Sequence, residues 1–218
     1  MNSTPLHVAS SASIALFAAL LPLAAGAVQF VGTPAQLGAN DALTWDQVGP
    51  VNGTVANPVT LTSLDGRSVV VSQATGHGNT LAAGPGFGPM YAQGERLYAT
   101  DNGFGFSGGP LTFQFAQGIN GFGVVCDPDY YLDGFGGTIS AYDADNLLLG
   151  TFSFSVSANA TYKQVFAGVT ASTPTIRRIV INGVQAASAP EDFFVGTVLI
   201  KSDLIFANGF DAPAVPTL

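Results

Sequence analysis

Strict alternation of apolar and polar residues in LTFQF (111–115) and TFSFSV (151–156) restricts this chain more than any other feature. A period of two separates a core face from a water face only when the backbone is extended. Runs of the same kind, rich in β-branched and aromatic residues, recur along the chain between Gly, Asn, Asp and Pro. They are VQFVG (28–32), ALTWDQV (42–48), VTLTSL (59–64), RSVVVSQA (67–74), LTFQFA (111–116), GFGVVC (121–126), TISAYD (138–143), LLLGTFSFSV (147–156), YKQVFAGV (162–169), TIRRIVING (175–183) and FFVGTVLIK (193–201). LDGR and DADN each stand between two such runs as hairpin turns. This many short strands predicts an all-β chain folded as a two-sheet antiparallel sandwich or jelly roll.

Composition agrees. Only 9% of the 218 residues are charged, and 27 Gly and 13 Pro punctuate the strands. All fourteen acids and six bases lie beyond residue 40, for a formal net charge of −8. Such a surface lacks the clustered Lys and Arg that displace counterions from nucleic acid, and Arg177-Arg178 are the only adjacent bases. Nucleic-acid binding is excluded on that ground.

The uncharged start contains ASIALFAALLPLAAGA, an apolar run closing on Ala25-Gly26-Ala27. This is the pattern of a secretory signal peptide (1–27) with cleavage before Val28, although its n-region offers only His7 and the amino terminus. The run is short for a bilayer span, and no later run is longer. Residues 28–206 are then expected to form a single β-sandwich domain, followed by a tail (207–218), with a secreted, periplasmic or surface location and no stable membrane insertion. The lone Cys126 excludes an internal disulfide and reads as a buried strand residue.

Between the fourth and fifth runs, residues 75–110 read as a long Gly/Pro/aromatic loop region. Two readings stand: an edge packed down by Phe87, Tyr91, Phe104 and Phe106, or a binding loop.

Catalytic chemistry is poorly supplied, and no catalytic residue is assigned. After residue 28 there is one histidine, His77, and two glutamates, Glu95 and Glu191, with no nucleophile-elbow sequence and no zinc ligand set. Calcium suits the acidic stretch better, since it takes oxygen ligands from loops. Asp127, Asp129 and Asp133 are the candidate calcium ligands, while Asp143 and Asp145 read as turn residues. For a sugar ligand, rings stacked on the apolar faces of pyranoses would be Trp45, Tyr130 and Tyr131. Against both readings stand local turns for the aspartates and core packing for the rings.

The stretch LTFQFAQGINGFGVVCDPD, with GGTISAYDADNLLLGTFSFSV, KQVFAGVTASTPTIRRIVINGV and EDFFVGTVLI, resembles the β-sandwich domain of secreted bacterial proteins with PEP-CTERM-type or related C-termini. The likeness covers about residues 111–200. It implies an extracellular or surface-associated module, with a fold like carbohydrate-binding jelly rolls, and not an enzyme. Two departures stand out. Relatives often carry an acidic or amide residue where FFVGTVLI has Gly196, and the end DLIFANGFD has no apolar helix with a basic cluster but is similar to a short IFxxGFE/D ending.

Together these features predict an exported, non-catalytic sandwich that binds extracellular polysaccharide or another cell-surface component, with calcium as its candidate cofactor. A structural matrix protein without a small ligand is the alternative, and a hydrolase the third.

Overall fold

The computed structural model of the chain describes residues 27–100, 109–128, 134–157, 159–185 and 192–203. Residues 1–26 of the expected signal segment and the tail from residue 207 lie outside these. In chain order the elements are β1 (Gln29–Val31), α1 (Pro34–Leu37), β2 (Asp41–Leu43), a 3-10 turn (Trp45–Val48), β3 (Thr54–Val55), β4 (Val59–Thr62), β5 (Ser68–Gln73), β6 (Gly78–Ala82), β7 (Arg96–Ala99), β8 (Leu111–Ile119), β9 (Gly121–Pro128), β10 (Phe135–Tyr142), β11 (Leu148–Val156), β12 (Val165–Thr170), β13 (Ile176–Gln185), β14 (Phe193–Val195) and β15 (Val198–Lys201).

Two antiparallel sheets form the expected sandwich. One runs β1-β12-β9-β14-β7-β6-β3, with β15 beside β9 and β2 beside β15. The other, six-stranded, runs β11-β10-β13-β8-β5-β4. Alternate residues of both meet in one apolar core that includes Phe113 and Ile139 from the six-stranded sheet and Phe122 and Val124 from the other. Cys126 is fully buried in it, as expected.

The two predicted hairpins are built alike. After β4, Ser63 N donates to Arg67 O at 2.9 Å and Gly66 takes a φ of +83°. After β10, Asp143 N donates to Leu147 O at 3.0 Å and Asn146 takes a φ of +61°. Each is a three-residue loop whose last member is left-handed, the position that favours Gly or Asn. Asp143 Oδ1 also accepts from Asp145 N and Leu147 N, at 2.9 and 2.8 Å, so Asp143 holds the turn together.

Three expectations need correction. The run 42–48 is strand only to Leu43; Trp45–Val48 coil into a 3-10 turn, where the Gln47 amide donates to Thr62 O and accepts from Thr62 N, at 2.7 and 2.9 Å. A side chain thus occupies the hydrogen-bonding edge of β4. The region 75–110 is not one loop, for it contains β6 and β7, which pair with each other. Their sequences, GNTLA and RLYA, are short, and RLYA is buried at three successive positions, so neither showed a clear alternation. Finally, 193–201 is two strands. Thr197 N donates to Glu95 Oε1 at 2.7 Å instead of joining a ladder, and the chain changes its outer neighbour from β7 to β2 while staying against β9.

The nine-stranded sheet is covered on its outer side by its own chain. Leu37 of α1 is fully buried with Val31 and Phe166 in a satellite cluster. A Cβ on Gly121 would stand 2.8 Å from the Leu37 side chain, and one on Gly123 would stand 2.3 Å from the Phe166 ring. Beside it, residues 83–95 fold over the sheet, burying Tyr91 with Leu97, Ala99 and Phe194, and Phe87 packs against that cluster. Tyr91 OH reaches the carbonyls of Val125 and Phe194, both at 3.2 Å. Of the two readings of the aromatics in this region, packing onto the sandwich holds for Phe87 and Tyr91; Phe104 and Phe106 lie outside the described residues.

This seat makes a prediction. Gly123→Ala should destabilise the protein by about 1–3 kcal/mol through overpacking. Gly86→Ala, where a Cβ meets nothing within 4 Å, should stay within about 0.5 kcal/mol of the parent. Chemical denaturation of the two variants checks both.

Candidate functional site

The six-stranded sheet shows the opposite outer face. The residues of β8, β10, β11 and β13 that alternate with Phe113, Ile139, Phe154 and Ile181 point away from the core, and they are mostly hydroxyl or amide side chains. The strand registers assemble them into rows. One row crosses all six strands, Leu148–Tyr142–Arg178–Gln114–Val70–Thr60. The next is Thr151–Ser140–Val180–Thr112–Ser72, and a third begins Ser153–Thr138–Asn182. Five gaps between strands make the first row about 24 Å long at the usual spacing. Arg178 is the only charged residue in these three rows.

Two features stand out on this surface. The Arg178 guanidinium lies 3.7 Å from the centre of the Tyr142 ring, a cation–π stack that fixes a long flexible side chain and a ring in one place. Arg178 Nε is buried without a hydrogen-bond partner. One row on, Ser140 and Thr151 share a hydroxyl hydrogen bond of 2.8 Å. Leu148 and Val70 in the first row are 51% and 36% exposed, so apolar patches flank the stacked pair. Chemically, such a face offers hydroxyls, amides, one aromatic and one cation to a flat polar ligand, with no acid or base poised for proton transfer among these rows.

The sequence-derived candidates fall elsewhere. Trp45 cannot stack on a sugar: it is fully buried, its ring 4.8 Å from that of Tyr98, and its Nε1 donates to Gly196 O at 2.8 Å. This corrects the binding role expected of it, since an indole that satisfies its N–H inside the core has no face to offer. Tyr130, Tyr131, Asp129 and Asp133 lie outside the described residues. Asp127 is buried near the end of β9, and Asp192, also buried, stands just before β14, whose Phe193 pairs with Pro128 of β9. Among the described residues no group of three or more His, Cys, Asp and Glu is placed to hold a metal ion.

Glu95 is engaged by the backbone, accepting from Ala92 N at 2.9 Å as well as from Thr197 N, while His77 is exposed. Gly196, the departure noted in the sequence, is enclosed: a Cβ there would stand 2.7 Å from the Tyr91 ring and 2.8 Å from Glu95 Oε1. Burial pushes the Tyr98 phenol up, a shift that a backbone hydrogen bond at Gly78 partly opposes. Burial also pushes the Cys126 thiol up, and the neighbouring Asp127 carboxylate adds to it.

Tyr142 and Arg178 were not singled out in the sequence as site residues. The alternation that would have placed them on the polar face is present in TISAY and in RIVIN, but which strands lie side by side is not written in either.

No family model and no curated protein matches the chain. Among solved structures it is similar to a DUF4465 family protein from Bacteroides caccae (TM-score 0.47, 8% identity, 74% of this chain and 100% of that one). It is also similar to the CBM22-1–GH10 modules of Clostridium thermocellum xylanase 10B complexed with xylohexaose (TM-score 0.33, 13% identity), covering 60% of this chain and only 26% of that one. A third is a mutant of CBM29-2, from family 29 of carbohydrate-binding modules (TM-score 0.29, 12% identity, 67% and 99% coverage). At these identities the likeness is one of fold alone.

The Cys126 environment predicts inertness. In the native protein the thiol should fail to react with a disulfide reagent at neutral pH, and one thiol per chain should appear on denaturation. A colorimetric thiol titration reads both states.

Proposed function

We propose that this chain is exported and acts by binding extracellular polysaccharide, without catalysis, through the outer face of its six-stranded sheet. The observation that carries the reading is the contrast between the two outer faces. One is sealed by α1 and residues 83–95. The other is an open array of Ser, Thr, Asn and Gln with the Tyr142–Arg178 pair set across it. Sugars are recognised by dense hydroxyl and amide hydrogen bonds together with an aromatic or guanidinium plane, and this face supplies all of these on rigid strands. A row of about 24 Å suits an extended chain better than a single sugar ring. Export rests on the apolar start and Ala25-Gly26-Ala27. No helix among the described residues is long and apolar enough to cross a membrane.

Affinity electrophoresis in gels cast with neutral and with uronic-acid polysaccharides tests the reading. Retardation by at least one polymer is expected, weakened about tenfold or more by Tyr142→Ala and by Arg178→Ala, since loss of a central stacked anchor costs on the order of 2 kcal/mol. Trp45 and Asp143 variants would report only on folding. No retardation in any polymer would overturn the proposal and favour a structural matrix role.

Calcium is the second part of the proposal and rests on the acidic stretch that begins at Asp127. A native state that binds calcium must unfold several degrees higher in millimolar calcium than in chelator, by mass action. Coincident melting curves would remove calcium from the reading and leave the polysaccharide part standing.

A further inference from the structure

Among the described residues, every edge of the sandwich but one is short or occupied. β1, β2 and β3 span three, three and two residues. β4 has the Gln47 amide bonded to both backbone groups of Thr62. β11 is different: nine residues long, it pairs with β10 on one side and with no other strand among the described residues. Its sequence, LLGTFSFSV, contains no charge and no proline, and no charged residue occurs between Asp145 and Lys163. Long edges are normally blunted by Lys, Pro or a bulge, because their free N–H and C=O groups recruit another strand; β11 has an extra residue only at Leu149, near its start, and is regular from Gly150 on.

We propose that β11 pairs with β11 of a second copy of this chain, antiparallel across a two-fold axis at Ser153. The place of the axis follows from the strand's own register. The ladder to β10 is unbroken from Gly150 to Val156, and shifts only beyond it, between Ala141 and Tyr142. Ser153 is the middle of that unbroken stretch. A two-fold there sets Thr151 opposite Ser155 of the second copy, Phe152 opposite Phe154, and Ser153 opposite itself. Because the axis falls on a residue, polar side chains meet polar ones on the outer face and phenylalanines meet on the core side.

The same edge is uncharged in a chain whose net charge is −8, so it is where two like-charged copies approach at least electrostatic cost. An isologous contact of this kind closes after two copies, where an unspecific edge would propagate. Thr151, Ser153 and Ser155 are all exposed, so charges placed there by substitution would stand in solvent on the outer face. The pairing is independent of the polysaccharide reading. If both hold, two polar faces join into one continuous surface, and a long polymer meets two linked sites.

Light scattering on the purified protein from about 1 to 100 µM, with circular dichroism as the folding control, tests the pairing. The parent should reach twice the chain mass. Ser153→Lys, which sets two ammonium groups face to face, should stay at one chain mass with an unchanged spectrum. Thr151→Lys/Ser155→Lys should also be monomeric, whereas Thr151→Lys/Ser155→Glu, which sets Lys opposite Glu in both halves, should dimerise. A parent that is monomeric throughout, a Ser153→Lys variant that still dimerises, or a charge-matched variant that does not, would each overturn the inference.

Discussion

Phe122, Val124 and Cys126 reach from β9 into the space between the sheets, while Gly121 and Gly123 leave its other side bare for Leu37. This strand also holds three ladders at once, to β12 on one side and to β14 and then β15 on the other. Large side chains inward and none outward at Gly121 and Gly123 let two layers approach it from opposite directions. Phe122 meets Phe113 with ring centres 4.9 Å apart, which joins the sheets. The glycine side lets a helix of only four residues cover the outer surface beside residues 83–95, something a helix that short could not do over a layer of projecting side chains.

From that seal follows the asymmetry on which the functional reading rests. One sheet is a middle layer, apolar on both faces along β7, β9 and β14, and its strands read as nearly continuous hydrophobic runs. The other is an outer layer whose strands alternate cleanly, because one face packs and the other is wet. A ligand face must be reachable and held rigid, and only the alternating sheet satisfies both. The Tyr142–Arg178 stack sits on two neighbouring strands tied by an unbroken ladder from Phe135 to Tyr142, so its geometry is set by backbone pairing and needs no loop to order.

Much of this was legible in the sequence. LTFQF and TFSFSV each announced a half-buried strand because period-2 alternation has a single geometric meaning. LDGR and DADN announced turns because Gly66 and Asn146 accept the left-handed backbone that such turns demand. Where burial is two-sided or pairing is made by a side chain, the pattern carries no such information. RLYA is buried from Leu97 to Ala99, so β7 shows no alternation, and the Gln47 amide imitates a strand partner that no local rule foretells. Trp45 failed as a binding residue for a related reason. An indole ring looks the same in sequence whether its N–H meets water or the carbonyl of Gly196, a residue 151 positions away. The paired residues of the polar face were equally out of reach, since Tyr142 and Arg178 meet only through a sheet order that joins distant segments.

The distribution of the acids completes the picture. In a chain this poor in charge each carboxylate is a natural ligand candidate, yet Asp41, Glu95 and Asp143 are each engaged by backbone amides. The Asp41 carboxylate accepts from Ser63 Oγ at 2.6 Å and from Asp65 N at 3.0 Å, with Arg67 Nε at 3.6 Å, and so pins the first hairpin to β2. Glu95 organises the strand break at Thr197, and Asp143 organises the second hairpin. A carboxylate that accepts several amides in a turn offsets its own desolvation cost and that of the amides together. Negative charge is thereby held at turns and strand ends. The outer sheet face and the β11 edge are left almost neutral, so at the two surfaces we propose for docking hydrogen bonding and shape outweigh net charge.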